Sequence, residues 1–122
     1  MHLNKSLLFV DDETDVLDIL VDLFQDQGYA LHTAQRADEA LKVFSEQPID
    51  FVLSDLKLPD APGDILLEEI RDRSPDTVRV LTSGYLDVDF GAIGENHSDG
   101  TLYLSKPWDL WTLKQLVTER LA

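Results

Sequence analysis

The chain has 122 residues, 43% of them apolar, with 24 acidic side chains against ten basic ones and a formal charge of −14. That length encloses one core and not two, and the even spread of apolar residues excludes disorder, so a single domain over residues 1–122 is expected. The negative field repels phosphate backbones and anionic lipid, excluding direct nucleic-acid and membrane binding, and the lack of cysteine excludes disulfides, thiolate metal sites and a cysteine nucleophile.

The opening "HLNKSLLFV" has no cleavage site and too short an apolar run for a secretory signal, which makes the cytoplasm the expected location. Within it "LLFV" (7–10) reads as the first strand, buried on both faces, and it drops directly into three acids, Asp11, Asp12 and Glu13. Val16, Ile19, Leu20 and Leu23 then repeat with a helical period that stops near Gly28. "YALHT" (29–33) reads as a second strand, and Ala37, Ala40, Leu41 and Phe44 mark a second helix ended by Pro48. "FVLS" (51–54) is the third strand, followed by Asp55 and the turn-forming "LPDAPG"; Leu66, Leu67 and Ile70 mark a third helix that Pro75 closes.

"VRVLT" (78–82) is a fourth strand leading into Ser83. The stretch 87–100, "DVDFGAIGENHSDG", is poor in apolar residues and holds three glycines, so the helix expected there is short or irregular. "TLYLS" (101–105) supplies a fifth strand ending at Lys106 and Pro107, and Leu110, Leu113, Val117 and Leu121 give the last helix. Regular alternation of strand and helix, with strands this apolar, predicts a doubly wound parallel α/β sheet with helices on both faces.

In such sheets ligands bind outside the carboxyl ends of the strands. Those ends carry Asp11, Asp12 and Glu13, then Asp55, then Thr82 and Ser83, then Lys106. Two unit charges about 4 Å apart repel by roughly 4 kcal/mol at an effective dielectric near 20, so a rim holding Asp11, Asp12 and Asp55 calls for a cation. Mg2+, a hard ion that takes carboxylate oxygens and water, suits those three acids. Asp55 is then the candidate nucleophile toward a phosphoryl group, with Lys106 neutralising charge on the transferring oxygens and the Ser83 hydroxyl donating a hydrogen bond to them. His2, His32 and His97 have no part in this scheme.

Each feature also has a plain explanation. The acids after the first strand could serve a helix start, with Asp12 as its cap; Asp55 could begin a turn; Lys106 could be a solvated lysine before a proline. Tyr103 reads equally as core packing, and Trp108 and Trp111, three apart on the last helix, read as core rather than interface. Their joint placement at one rim is what coincidence does not supply.

With these residues in place the chain resembles the receiver domain of bacterial two-component response regulators over essentially its whole length. The acidic pair is Asp11 and Asp12, the phospho-acceptor Asp55 in "LSDLKLPDAPG" with Pro59 and Gly63 downstream, the switch hydroxyl Ser83 in "VLTSGY", and the final signature Lys106 with Pro107. The resemblance implies a flavodoxin-like strand order 2-1-3-4-5 and a phosphoryl group taken from the phosphohistidine of a sensor histidine kinase or phosphotransfer protein. It also implies that the backbone carbonyl of Lys57 completes the metal shell. A switch is implied in which Ser83 moves toward the phosphoryl group and Tyr103 turns inward. That movement would alter the face built from the fourth helix, fifth strand and last helix for an output domain, a downstream protein or a homodimer partner.

Two enzyme-like rivals fail on single positions. An aspartyl phosphatase of the haloacid-dehalogenase type needs a second Asp two residues after its nucleophile, where this chain has Lys57, and dinucleotide binding needs glycines where this chain has "DDETD". The alternative from another class is a receiver-like docking or dimerisation module that works without phosphorylation.

Overall fold

A computed structural model describes residues 5–84, 93–95 and 100–122. In chain order the elements are β1 (Ser6–Val10), α1 (Thr14–Phe24), β2 (Ala30–Ala34), α2 (Ala37–Glu46), β3 (Phe51–Asp55), α3 (Gly63–Arg73), β4 (Val78–Ser83), β5 (Ile93–Glu95), β6 (Leu102–Ser105) and α4 (Leu110–Arg120). The sheet runs β2-β1-β3-β4-β6-β5. Its parallel part, β2-β1-β3-β4-β6, is the predicted 2-1-3-4-5 order, the fifth expected strand being β6.

One expectation is corrected here. Residues 93–95, placed in a short helix by the sequence, form the edge strand β5, antiparallel to β6 with Ile93 opposite Leu104. Glycine at 91 and 94 weakens helix, and a three-residue strand needs only backbone pairing with an existing edge. Residues 87–92 and 96–99 of that expected helix, His97 among them, and His2 lie outside the described residues.

Strand alternation sorts the core into two layers. Leu7, Phe9, Phe51, Leu53, Val80, Leu102 and Leu104 face α1 and α4, meeting Leu17, Leu20 and Phe24 from the first and Leu113, Leu116 and Val117 from the second. Leu8, Val10, Val52 and Leu81 face α2 and α3, meeting Ala37, Ala40, Leu66, Leu67 and Ile70. Burying one such leucine or phenylalanine contributes roughly 1.5–3 kcal/mol, and the Phe9 and Phe24 rings add a stacked contact at 5.7 Å.

Helix ends follow local chemistry, with one exception. Gly28 takes φ 86° after α1, a region that disfavours any side chain, and Asp109 caps α4 by accepting Trp111 N–H at 3.0 Å. At the start of α1 the N-cap is Glu13, without a side-chain bond, not Asp12. The exception is α2, whose first two amides donate not to a preceding residue but to Asp60 in the β3–α3 loop, at 2.8 Å from Ala37 and 2.9 Å from Asp38.

Two apolar residues counted on helix core stripes are not buried: Ile19 is 49% exposed and Leu110 42%. Both line an apolar cleft of about 360 Å³ with Val16, Pro107 and Trp108, between α1 and the β6–α4 loop. The stripes are wider than the surface the sheet covers. Trp111, read as core, is 65% exposed, whereas Trp108 packs against the core layer under α1 and α4.

Candidate functional site

β1, β3, β4 and β6 end side by side, because the register sets Val10 beside Ser54, Asp55 beside Thr82, and Ser83 beside Ser105. The next residue on each chain therefore opens onto one rim. A cleft of about 330 Å³ lies there, lined by Asp12, Glu13, Asp55, Lys57, Ser83, Gly84 and Lys106.

Asp11, the neighbour of Asp12 in that lining, is only 2% exposed. A carboxylate so buried needs partners, and it has two: its Oδ1 accepts the Glu13 N–H at 2.9 Å and its Oδ2 accepts from Lys106 Nζ at 3.0 Å. The same ammonium lies 3.2 Å from Asp55 Oδ1. Lys106 thus bridges the first and third strands from the fifth parallel one. Burial draws its ammonium pKa down, but the hydrogen bond and charge of Asp11, followed by those of Asp55, outweigh that and hold it above the ordinary value.

Asp55 experiences the opposite balance. Burial pushes its carboxyl above the ordinary aspartate value, the negative charge of Asp11 adds to the rise, and Lys106 with the Lys57 backbone N–H opposes it. Asp11, Asp12 and Asp55 each offer a carboxylate oxygen, all within 4.8 Å of one another. Three hard oxygen donors with excess negative charge beside a polar cleft fit a divalent cation of the magnesium or calcium type.

The loop after Asp55 is held tightly. Gly63 N–H donates to Leu56 O at 2.7 Å, Leu56 N–H donates to Thr82 O at 2.9 Å, and Lys57 bridges Pro62 across the turn. A Cβ on Gly63 would stand 2.0 Å from Asp55 O, so only glycine lets the start of α3 approach the acceptor this closely.

The two strand-end hydroxyls have separate surroundings. Ser83 lines the cleft, while Thr82, on the other sheet face, accepts the Trp108 indole N–H at 2.6 Å. Sequence reasoning gave Trp108 no role here; the only signal was its place two residues after Lys106. The Lys106–Pro107 bond is cis. Tyr103 is half-buried on the Ser83 face of the sheet, packed against the layer under α2 and α3. Pro59 lies in the loop beside the cleft, and His32, on β2, is not among the residues lining it.

A doubly wound sheet whose carboxyl edge gathers three carboxylates and a bridging lysine is the arrangement that the receiver resemblance implies. The model of the response regulator receiver domain matches residues 7–118, and the chain belongs to that family. Among curated proteins it is similar to the hydrogenase transcriptional regulatory protein HoxA of Cupriavidus necator, 36% identical over 103 residues, 84% of this chain and 21% of that protein. It is also similar to the sensor kinase CckA of Brucella abortus, 34% identical over 121 residues, 97% of this chain and 13% of the kinase. The chain therefore spans only a minor part of either relative. Among solved structures, response regulator protein TrrA of Thermotoga maritima in complex with Mg(2+)-BeF superposes with a TM-score of 0.77 at 29% identity, covering 95% of this chain and 98% of that one. Among the described residues no helix is long and apolar enough to cross a membrane.

Proposed function

We propose that the chain is a single phospho-accepting receiver, residues 1–122, working in the cytoplasm, in which Asp55 takes a phosphoryl group from the phosphohistidine of a sensor histidine kinase or phosphotransfer protein. The observation that carries this reading is the bridging of Asp11 and Asp55 by one lysine that, with Asp55, lines a polar cleft. A carboxylate oxygen of Asp55 forms the new P–O bond as the P–N bond breaks, and the imidazole leaves with its electron pair. Lys106 stabilises the negative oxygens of the phosphoryl group in flight, and the Ser83 hydroxyl donates a hydrogen bond to one of them. Asp11, Asp12, Asp55 and the Lys57 carbonyl would hold Mg2+, which when bound would supply charge neutralisation at the same oxygens.

Raised pKa and partial burial fit an acceptor. Desolvation makes the Asp55 carboxylate a less stabilised anion, hence a better nucleophile once a cation is present. After transfer, Ser83 moves toward the phosphoryl group and Tyr103, on the same sheet face, turns inward, so the surface of β6 and α4 changes for an output domain, a downstream protein or a second copy. Water later hydrolyses the acyl phosphate and resets the switch. Incubation with acetyl phosphate and Mg2+, followed by intact-mass measurement, tests the reading: one added phosphoryl group that Asp55→Asn abolishes is expected, and an unmodified wild type overturns it.

A further inference from the structure

Beneath Lys106 lies an aromatic ring that the proposed chemistry leaves unused. The Lys106 ammonium stands 5.6 Å from the centroid of the Trp108 ring, within the range where a cation is drawn to an indole face. That ring is anchored at its edge, because its N–H donates to Thr82 Oγ1 at 2.6 Å and Thr82 is buried in β4. Its body packs against the core layer under α1 and α4. A long lysine side chain otherwise samples many rotamers, and a charge attracted to a ring face samples fewer.

We propose that Trp108 is a positioning residue for the reaction at Asp55: Thr82 orients the indole, and the indole face supports Lys106 where it bridges Asp11 and Asp55. Trp108 would touch no reacting atom. Its effect on rate rests on the phosphoryl-acceptor reading above; the contact itself does not. Tryptophan packed only as core filler would serve as well with its ring turned and its N–H bonded elsewhere. Here two directional contacts, one at the ring edge and one at its face, together select a single orientation.

The test uses the full chain and three variants, Trp108→Leu, Trp108→Phe and Thr82→Val, with NMR of the Lys106 side chain beside phosphorylation by acetyl phosphate and Mg2+. In wild type the Lys106 methylene protons next to the ammonium are expected upfield from ring current, and the Trp108 indole N–H slow to exchange. The exposed Trp111 indole serves as an internal reference. Trp108→Leu is expected to erase the upfield shift and lower the phosphorylation rate roughly tenfold, the scale of a partly desolvated cation–π contact. Trp108→Phe, which keeps a ring but no donor, and Thr82→Val, which keeps the ring but removes its anchor, are expected to fall between. Thr82→Val is close to isosteric, so it carries the test if Trp108→Leu does not fold. Lys106 resonances unmoved in Thr82→Val and Trp108→Phe, or a Trp108→Leu rate within twofold of wild type, would overturn the positioning role. A wild type that accepts no phosphoryl group overturns the proposed function instead, and the Lys106 resonances still decide the contact.

Discussion

Lys106 Nζ lies 3.2 Å from Asp55 Oδ1 while it holds Asp11 Oδ2 at 3.0 Å, so one cation serves two carboxylates from different strands. Without it Asp11 would be a buried anion beside another anion, a state that neither solvent nor the remaining Glu13 amide offsets.

Lys106→Ala is therefore expected to destabilise the fold in the absence of divalent ions by about 3 kcal/mol, the scale of breaking a buried pair. Added Mg2+ is expected to restore part of that loss, because a second cation takes over the neutralisation. Urea denaturation with and without Mg2+ measures both. An unchanged midpoint would show that the Lys106 contact with Asp11 adds nothing to stability.

Asp55→Asn is expected to act the other way. Burial, aided by the charge of Asp11, raises the Asp55 carboxyl in the folded state. A group whose folded pKa is raised contributes stability that is present below its unfolded value and lost as pH rises through the folded one. Asparagine carries no such penalty, so the variant is expected to gain on wild type in thermal stability as pH climbs from about 4 toward 7 without Mg2+. The gain should shrink when Mg2+ is added. A constant difference across that range would place the pH dependence elsewhere.

How much of this could be read in the linear chain follows from the range of each interaction. Apolar runs of four or five residues mark strands buried on both faces, so a parallel sheet and the acids at its carboxyl rim were legible, as was the Asp55 to Lys106 grouping, whereas the strand order came only from the family resemblance. Contacts that depend on where a loop lands were not. The cap of α2 by Asp60 spans 22 or 23 residues, and the Trp108 bond to Thr82 spans 26. Nothing in "LPDAPG" or "KPW" announces either partner. Ile19 and Leu110 were misplaced because periodicity reports a stripe and not what covers it, and the β5 edge strand escaped because its pairing partner, not its own composition, holds it.

Gly63→Ala is expected to destabilise by about 1–3 kcal/mol, since the added methyl meets the Asp55 carbonyl at 2.0 Å and the α3 start must retreat. The same retreat is expected to shift the amide resonances of Asp55 and Leu56 and to slow phosphorylation. Wild-type stability and unmoved resonances would mean that the loop yields freely.

Asp60 ties the loop after the acceptor to α2, and the Ala37 and Asp38 amides hold its carboxyl below the ordinary carboxylate range. A depressed folded pKa contributes stability that is present above the unfolded value and lost as pH falls through the folded one. Asp60→Asn is thus expected to be less stable than wild type at pH 7, with the difference shrinking as pH falls through the lowered folded value of Asp60. Equal stability at neutral pH would reduce the capping contact to an incidental one.

The most direct measurement of the central claim is intact-mass analysis of wild type and Asp55→Asn after incubation with acetyl phosphate and Mg2+, with a hydroxylamine chase. The account predicts one phosphoryl group on wild type, removed by hydroxylamine as an acyl phosphate must be, and none on the variant. A wild type that stays unmodified, or a variant modified equally, would contradict it and return the chain to a docking module that works without phosphate.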